Sequence, residues 1–194
     1  MTTTITRIGH PVLNEIAQPV TNPISHEIQI LTQKMITALK DAGGVGLAAS
    51  QLYTPLRLFI YHVPKKTTNS RYNLTPQYDP EGVPLTVAIN PKVTPLGDQT
   101  TIGWEGCLSI PGMMGEVERY HSVQMTATDL NGKEFCLVAH GFHALVLQHE
   151  YDHLDGILFP NRLRDIRRFG FIEELSRPSK TPTVPAVKKV LNHN

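Results

Sequence analysis

The pentapeptide His149-Glu150-Tyr151-Asp152-His153 constrains this chain more than any other stretch, because it spaces two imidazoles four residues apart with a carboxylate beside the first. On a helix, side chains four apart share a face about one turn apart, so both rings can turn a nitrogen toward one metal ion. Glu150 follows His149 by about 100° of helical rotation, where its carboxylate can border the open side of that ion and exchange a proton with water. Phe142, Leu145 and Val146 fall on the same stripe as His149 and His153. The spacing therefore predicts a helix from about Phe142 to Asp155, stopped by Gly156, with this face in the core. The competing reading is a core-edge helix whose histidines are satisfied by ordinary hydrogen bonds.

A chain of 194 residues with 40% apolar content can bury one sizeable core, and residues 1–176 are read as one domain. Residues 177–194 hold three prolines, four Lys or Arg residues and no acid, which reads as a loosely held basic tail. A formal charge of +1 gives no overall field for DNA or anionic lipid. The first residues lack an apolar signal core, and no run approaches the roughly 20 apolar residues that span a bilayer. The expectation is a soluble cytoplasmic protein without membrane or DNA partners. Two cysteines, Cys107 and Cys136, are too few for a disulfide scaffold.

Ser25 is placed to cap a first helix whose apolar positions are Ile28, Leu31, Met35 and Leu39, with Gly43-Gly44 as its end. Leu56 to Val63 and Leu85 to Ile89 are short strand-forming runs, joined by a proline-bearing segment from Pro64 to Pro84 that reads as a long surface loop. Val123, Met125 and Ala127 alternate with polar residues, and Asn131-Gly132 offers a tight turn into Glu134 to His140, so a β-hairpin should feed the metal helix. A further helix is expected between Arg162 and Leu175, with Gly170 as its weak point.

Two histidines leave a hydrolytic metal site one protein ligand short. A third histidine after Gly156 is ruled out, because position 159 is Phe159. Glu173 or Glu174 would supply a two-His, one-Glu peptidase site, although such a pair more often solvates an exposed helix face. The remaining source is a thiolate. Cys107 stands in Trp104-Glu105-Gly106-Cys107-Leu108-Ser109, with Gly103 and Gly106 before it and Pro111-Gly112 after it, whereas Cys136 lies mid-strand among Phe135, Leu137 and Val138 and reads as a small buried hydrophobe. Spacing prefers Cys107. The segment Gly44-Val45-Gly46-Leu47-Ala48-Ala49-Ser50-Gln51 lacks the Gly-Lys-Ser/Thr of a phosphate loop and follows a helix, which argues against nucleotide binding. Its small residues allow close approach to the backbone, and Gln51 could donate its amide to a developing oxyanion. A helix cap followed by a packed turn explains the same glycines.

Taken together, Gly44 to Gln51, Glu105 to Ser109 and Gln148 to Gly156 resemble, in that order, the three motifs of the peptide deformylase family, and the likeness runs from about Gly9-His10-Pro11-Val12-Leu13 to the Arg162–Leu175 region. The resemblance implies an α+β fold with mixed β structure around a central metal helix. It implies Cys107, His149 and His153 as metal ligands and Glu150 as general acid/base. Gln51 and the backbone N–H of Leu108 would be oxyanion donors. The implied ion is iron(II), with zinc, nickel or cobalt as substitutes, and the implied substrate is an N-formylmethionyl nascent peptide, with association with the ribosome. Val45, Gly46, Phe142, Leu145 and Val146 are the expected methionine pocket. Glu105 and Arg119 are a candidate buried pair bracing the cysteine segment. Two rivals stand beside this reading: the peptidase with Glu173 or Glu174, and a closed Cys/His structural zinc site in a binding module.

Overall fold

The computed structural model describes residues 4–65 and 81–177. Helix α1 (His26–Ala42) starts where the Ser25 hydroxyl accepts the Ile28 N–H and ends where Gly43 turns left-handed at φ 61°, a conformation that glycine adopts without steric cost. Strands β1 (Gly46–Ala48), β2 (Leu58–Val63), β3 (Val83–Pro95), β6 (Ser122–Thr128) and β7 (Glu134–His140) form one sheet in the order β1-β2-β3-β6-β7. Strands β4 (Thr100–Cys107), β5 (Ile110–Tyr120) and β8 (Phe169–Phe171) form a second. All pairings between these strands are antiparallel, and the α+β architecture is completed by α2 (Gly141–Leu154) and the single-turn α3 (Ile172–Leu175).

Strand β2 explains how the layers stack. Side chains alternate across a strand, so Phe59, Tyr61 and Val63 face one way and Leu58 and Ile60 the other. The first set packs with Ala144, Val146 and Leu147 of α2, and the second with Met35, Ala38 and Leu39 of α1. The first sheet is thus covered by a helix on each face, which is why β2 reads as a continuous apolar run instead of an alternating one. A third cluster of Val12, Leu13, Ile110, Val117, Leu158 and Phe159 fastens the second sheet to the N-terminal segment and to the chain that follows α2.

Several expectations need correction. Helix α2 is not a one-faced element: His143, Ala144, Val146, Leu147, Glu150, Asp152, His153 and Leu154 are all buried, because the two sheets and the chain after Gly156 enclose it. No helix spans Arg162 to Leu175. That segment forms a 3-10 turn (Ile166–Arg168), then β8, whose residues pair with Met113 to Gly115 of β5, then α3. Gly170, the weak point for a helix, lies opposite Met114, where the absence of a side chain suits strand pairing. The run at Leu85 to Ile89 belongs to the longer β3. Most of the Pro64–Pro84 loop and of the 177–194 tail lies outside the described residues. Among the described residues, no helix is long and apolar enough to cross a membrane.

Candidate metal centre and active site

Three elements bring the predicted donors together. His149 and His153 lie one turn apart on α2, and Cys107 stands at the end of β4 rather than in a loop. The β4–β5 pairing is irregular at this end, since Gly106 faces Met114 but Cys107 faces Ile110, which leaves Pro111 to Met113 of β5 without partners in β4 where the thiol meets α2. One ligand atom from each of the three residues lies within 4.8 Å of the others, and this is the only such group of three among the described residues. Cys107 Sγ is 3.3 Å from His153 Nε2. Tetrahedral coordination with metal–sulfur and metal–nitrogen bonds of about 2.3 and 2.0 Å gives a sulfur–nitrogen edge of about 3.5 Å, so the spacing suits a shared ion. His149 donates Nδ1–H to Glu105 Oε2 at 2.8 Å, leaving Nε2 for the cluster. A carboxylate behind a ligating histidine is the usual way its tautomer and ring orientation are fixed. The donor set and its support fit a divalent metal.

The surroundings of the sulfur favour its thiolate form. Burial opposes ionisation, but the charge of His153 and hydrogen bonds from His149 and His153 outweigh it and hold the Cys107 thiol well below its ordinary value. The Ser109 N–H at 3.4 Å and Gln51 Nε2 at 3.6 Å also point at Sγ. Gln51 is held at both ends: Oε1 accepts the Ala48 N–H at 2.8 Å, and Nε2 donates to Ser109 Oγ at 3.0 Å. Its amide nitrogen therefore faces the cysteine. Cys136 lies elsewhere and is exposed, contrary to the expected buried hydrophobe. Strand β7 is a sheet edge whose Phe135, Leu137 and Ala139 side turns to the core, which leaves Cys136 and Val138 outward.

Glu150 is 4% exposed and its Oε2 has no hydrogen-bond partner. Burial pushes its carboxyl up to about 7 against the opposing pull of His149 and His153. Gly46 makes room for it: a Cβ there would overlap the Glu150 carboxylate. Glu105, buried on the other side of His149, behaves in the opposite way. Burial would raise its carboxyl, but Arg119, in charge and in hydrogen bonds, together with His149 holds it down at about 2. Arg119 grips Glu105 through Nε at 2.7 Å and Nη2 at 3.0 Å, the pair anticipated from sequence, and reaches Asp152 Oδ2 through Nη1 at 2.6 Å. Removing Arg119 would leave buried Glu105 without its guanidinium and Asp152 with Arg162 alone. Arg119→Leu should therefore lower unfolding free energy by about 3–5 kcal/mol in chemical denaturation. A loss below about 1 kcal/mol would show that the network contributes little to the fold.

These groups open on a cavity of about 530 Å³, whose lining includes Val45, Gly46, Gln51, Cys107, Leu108, Phe142, Leu145, Val146, His149 and Glu150. The two candidate oxyanion donors, the candidate base and all five residues expected around the methionine thus border one space. Glu173 and Glu174 lie on α3, Glu174 paired with Arg177 at 3.0 Å, and neither belongs to the donor cluster. Sequence reasoning missed Ser109, which fixes the Gln51 amide, and the roles of Asp152 and Arg162 behind Arg119. An acid within the histidine motif was the available signal for Asp152.

The family model for polypeptide deformylase matches residues 2–169. Peptide deformylase 2 of Ralstonia nicotianae is 42% identical over 171 residues, covering 88% of this chain and 92% of that protein. Peptide deformylase 1 of Bordetella pertussis is 41% identical, covering 88% and 93%. The crystal structure of a class I type b peptide deformylase from Acinetobacter baumannii bound to Met-Ala-Ser matches with a TM-score of 0.74 and 32% identity over 84% of this chain and 99% of that one. Sequence, fold and the converging Cys-His-His donors agree that this chain belongs to the peptide deformylase family, metal-dependent hydrolases that remove the formyl group from the N-terminus of new polypeptides.

Proposed function

We propose that this deformylase holds iron(II) with Cys107, His149 and His153, uses Glu150 as general acid/base, and receives the formyl oxygen with the Gln51 amide and the Leu108 N–H. The observation that carries this assignment is the convergence of the donor cluster and a buried carboxylate with one unpartnered oxygen on one cavity. A divalent ion bound there lowers the pKa of water toward about 7 and polarises a carbonyl. Glu150 takes one proton from the attacking water and returns it to the departing methionyl nitrogen, and the proton left on the new formic acid passes to the amine on ionisation, so formate and an ammonium terminus leave with protons balanced. Gln51 Nε2 and the Leu108 N–H stabilise the charge that builds on the formyl oxygen. Val45, Gly46, Phe142, Leu145 and Val146 receive the methionine side chain, an apolar group suited to apolar walls.

In this reading residues 1–176 are the catalytic domain, residues 177–194 are a basic tail, and the substrate is met in the cytoplasm as formylated chains emerge from the ribosome. Zinc, nickel or cobalt would occupy the same donors. The direct test is hydrolysis of a formyl-Met peptide by iron-loaded protein under anaerobic conditions, with the acetyl-Met analogue for comparison. Appearance of a free methionyl amine from the first alone, with formate beside it, is the expected result, and absence of formate from fully loaded protein would overturn the assignment.

A finer test addresses Gln51. Loss of one oxyanion donor costs about 10²- to 10³-fold in turnover, so Gln51→Ala should lower kcat/KM by that factor with metal content unchanged. Unaltered turnover would remove Gln51 from the mechanism and leave its contact with Ser109 as a structural one.

A further inference from the structure

The support behind His149 does not end at Glu105. Arg119 is shared between Glu105 and Asp152, and Asp152 is shared in turn between Arg119 and Arg162, which reaches Oδ1 through Nη2 at 2.9 Å and Oδ2 through Nε at 3.2 Å. The four side chains form a row of two carboxylates and two guanidiniums, balanced in charge. Glu105, Arg119 and Asp152 are buried, whereas the Arg162 side chain is 45% exposed. It borders a second cleft of about 410 Å³, lined also by Gln148, Tyr151 and Asp152 on a different face of α2 from the catalytic cavity.

We propose that Arg162 is a positioning residue for the metal centre, acting on His149 through Asp152, Arg119 and Glu105. The proposal rests on the metal-ligand assignment above. With Arg162 present, Asp152 has its own cation and Arg119 is free to keep its two-pronged grip on Glu105. Without Arg162, the buried row carries one uncompensated negative charge, and both carboxylates compete for Arg119. Its Nη1 already lies 2.6 Å from Asp152, so the competition draws the guanidinium from Glu105 and loosens the carboxylate that fixes the His149 ring. A ligand whose outer support is weakened holds metal less well, typically by 10- to 100-fold when the direct partner is lost.

The test uses the full chain loaded with cobalt(II) and challenged with excess EDTA, following the thiolate-to-cobalt absorption. Arg162→Ala should release cobalt about tenfold faster than wild type, and Arg167→Ala, which removes an exposed ion pair with Asp165, should release it at the wild-type rate. In a Glu105→Gln background Arg162→Ala should add less than about twofold, because the route to His149 is already cut. A merely structural role would preserve the tenfold factor in that background, and that outcome overturns the proposal. So does release from Arg162→Ala within about twofold of wild type, or equal acceleration by Arg167→Ala. Wild-type protein that develops no thiolate absorption with cobalt, or Cys107→Ala protein that keeps it, would overturn the ligand assignment itself.

Discussion

Glu150→Gln should lower kcat by about 10²- to 10⁴-fold while leaving metal content at the wild-type level. Two carboxylates border the catalytic cavity, and their environments separate their roles. Glu105 is ionised, with its carboxyl at about 2, but both oxygens are occupied by Arg119 and one also by His149. Held in three hydrogen bonds and kept ionised far below neutrality, it is a weak base for a reacting proton. Glu150 has an unpaired oxygen and a carboxyl pushed by burial to about 7, where a group both accepts and returns protons near neutrality. Glutamine keeps the shape, and so the tight contact with Gly46, while removing the proton exchange. Formate release and metal content measured on one preparation decide the matter. Turnover within tenfold of wild type at full metal content would sink the assignment of Glu150 as the base.

What the sequence made legible follows from how local each feature is. The His149 to His153 spacing, the Ser25 cap and Gly43 end of α1, and the Asn131-Gly132 turn between β6 and β7 depend on neighbours within a few residues, and the structure contains all of them. The position of Cys107 depends on a register slip between two strands. Composition showed glycines beside it but not that β4 runs up to the sulfur. The Arg162 to Leu175 segment misled because its residues suit a short helix locally, whereas pairing of Phe169 to Phe171 with β5 is a long-range contact that overrides propensity. Cys136 misled for a related reason. Its apolar neighbours suggest burial, but β7 is an edge, and only one of its faces has a core to pack against. The Asp152–Arg162 bridge joins side chains ten residues apart across the end of α2, a separation no helical or strand period links.

The thiol invites the sharpest contrast, because the chain offers two cysteines and the structure separates their environments completely. Cys107→Ala should weaken metal binding by more than about 100-fold, since even loss of a partner behind a ligand costs 10- to 100-fold, and formate release should disappear with the metal. The surviving pair of imidazoles would have no anionic donor between them, and Glu150 is poorly placed to replace the sulfur because Gly46 lies against its carboxylate. Cys136→Ala, by contrast, removes an exposed side chain from an edge strand and should change neither quantity. Metal content after dialysis against a chelator, measured on both variants beside wild type, separates the cases. Retention of the ion by Cys107→Ala would require a third ligand from another residue. Loss of the ion with Cys107 alone fixes the sulfur at the end of β4 as the donor that joins the second sheet's chemistry to α2.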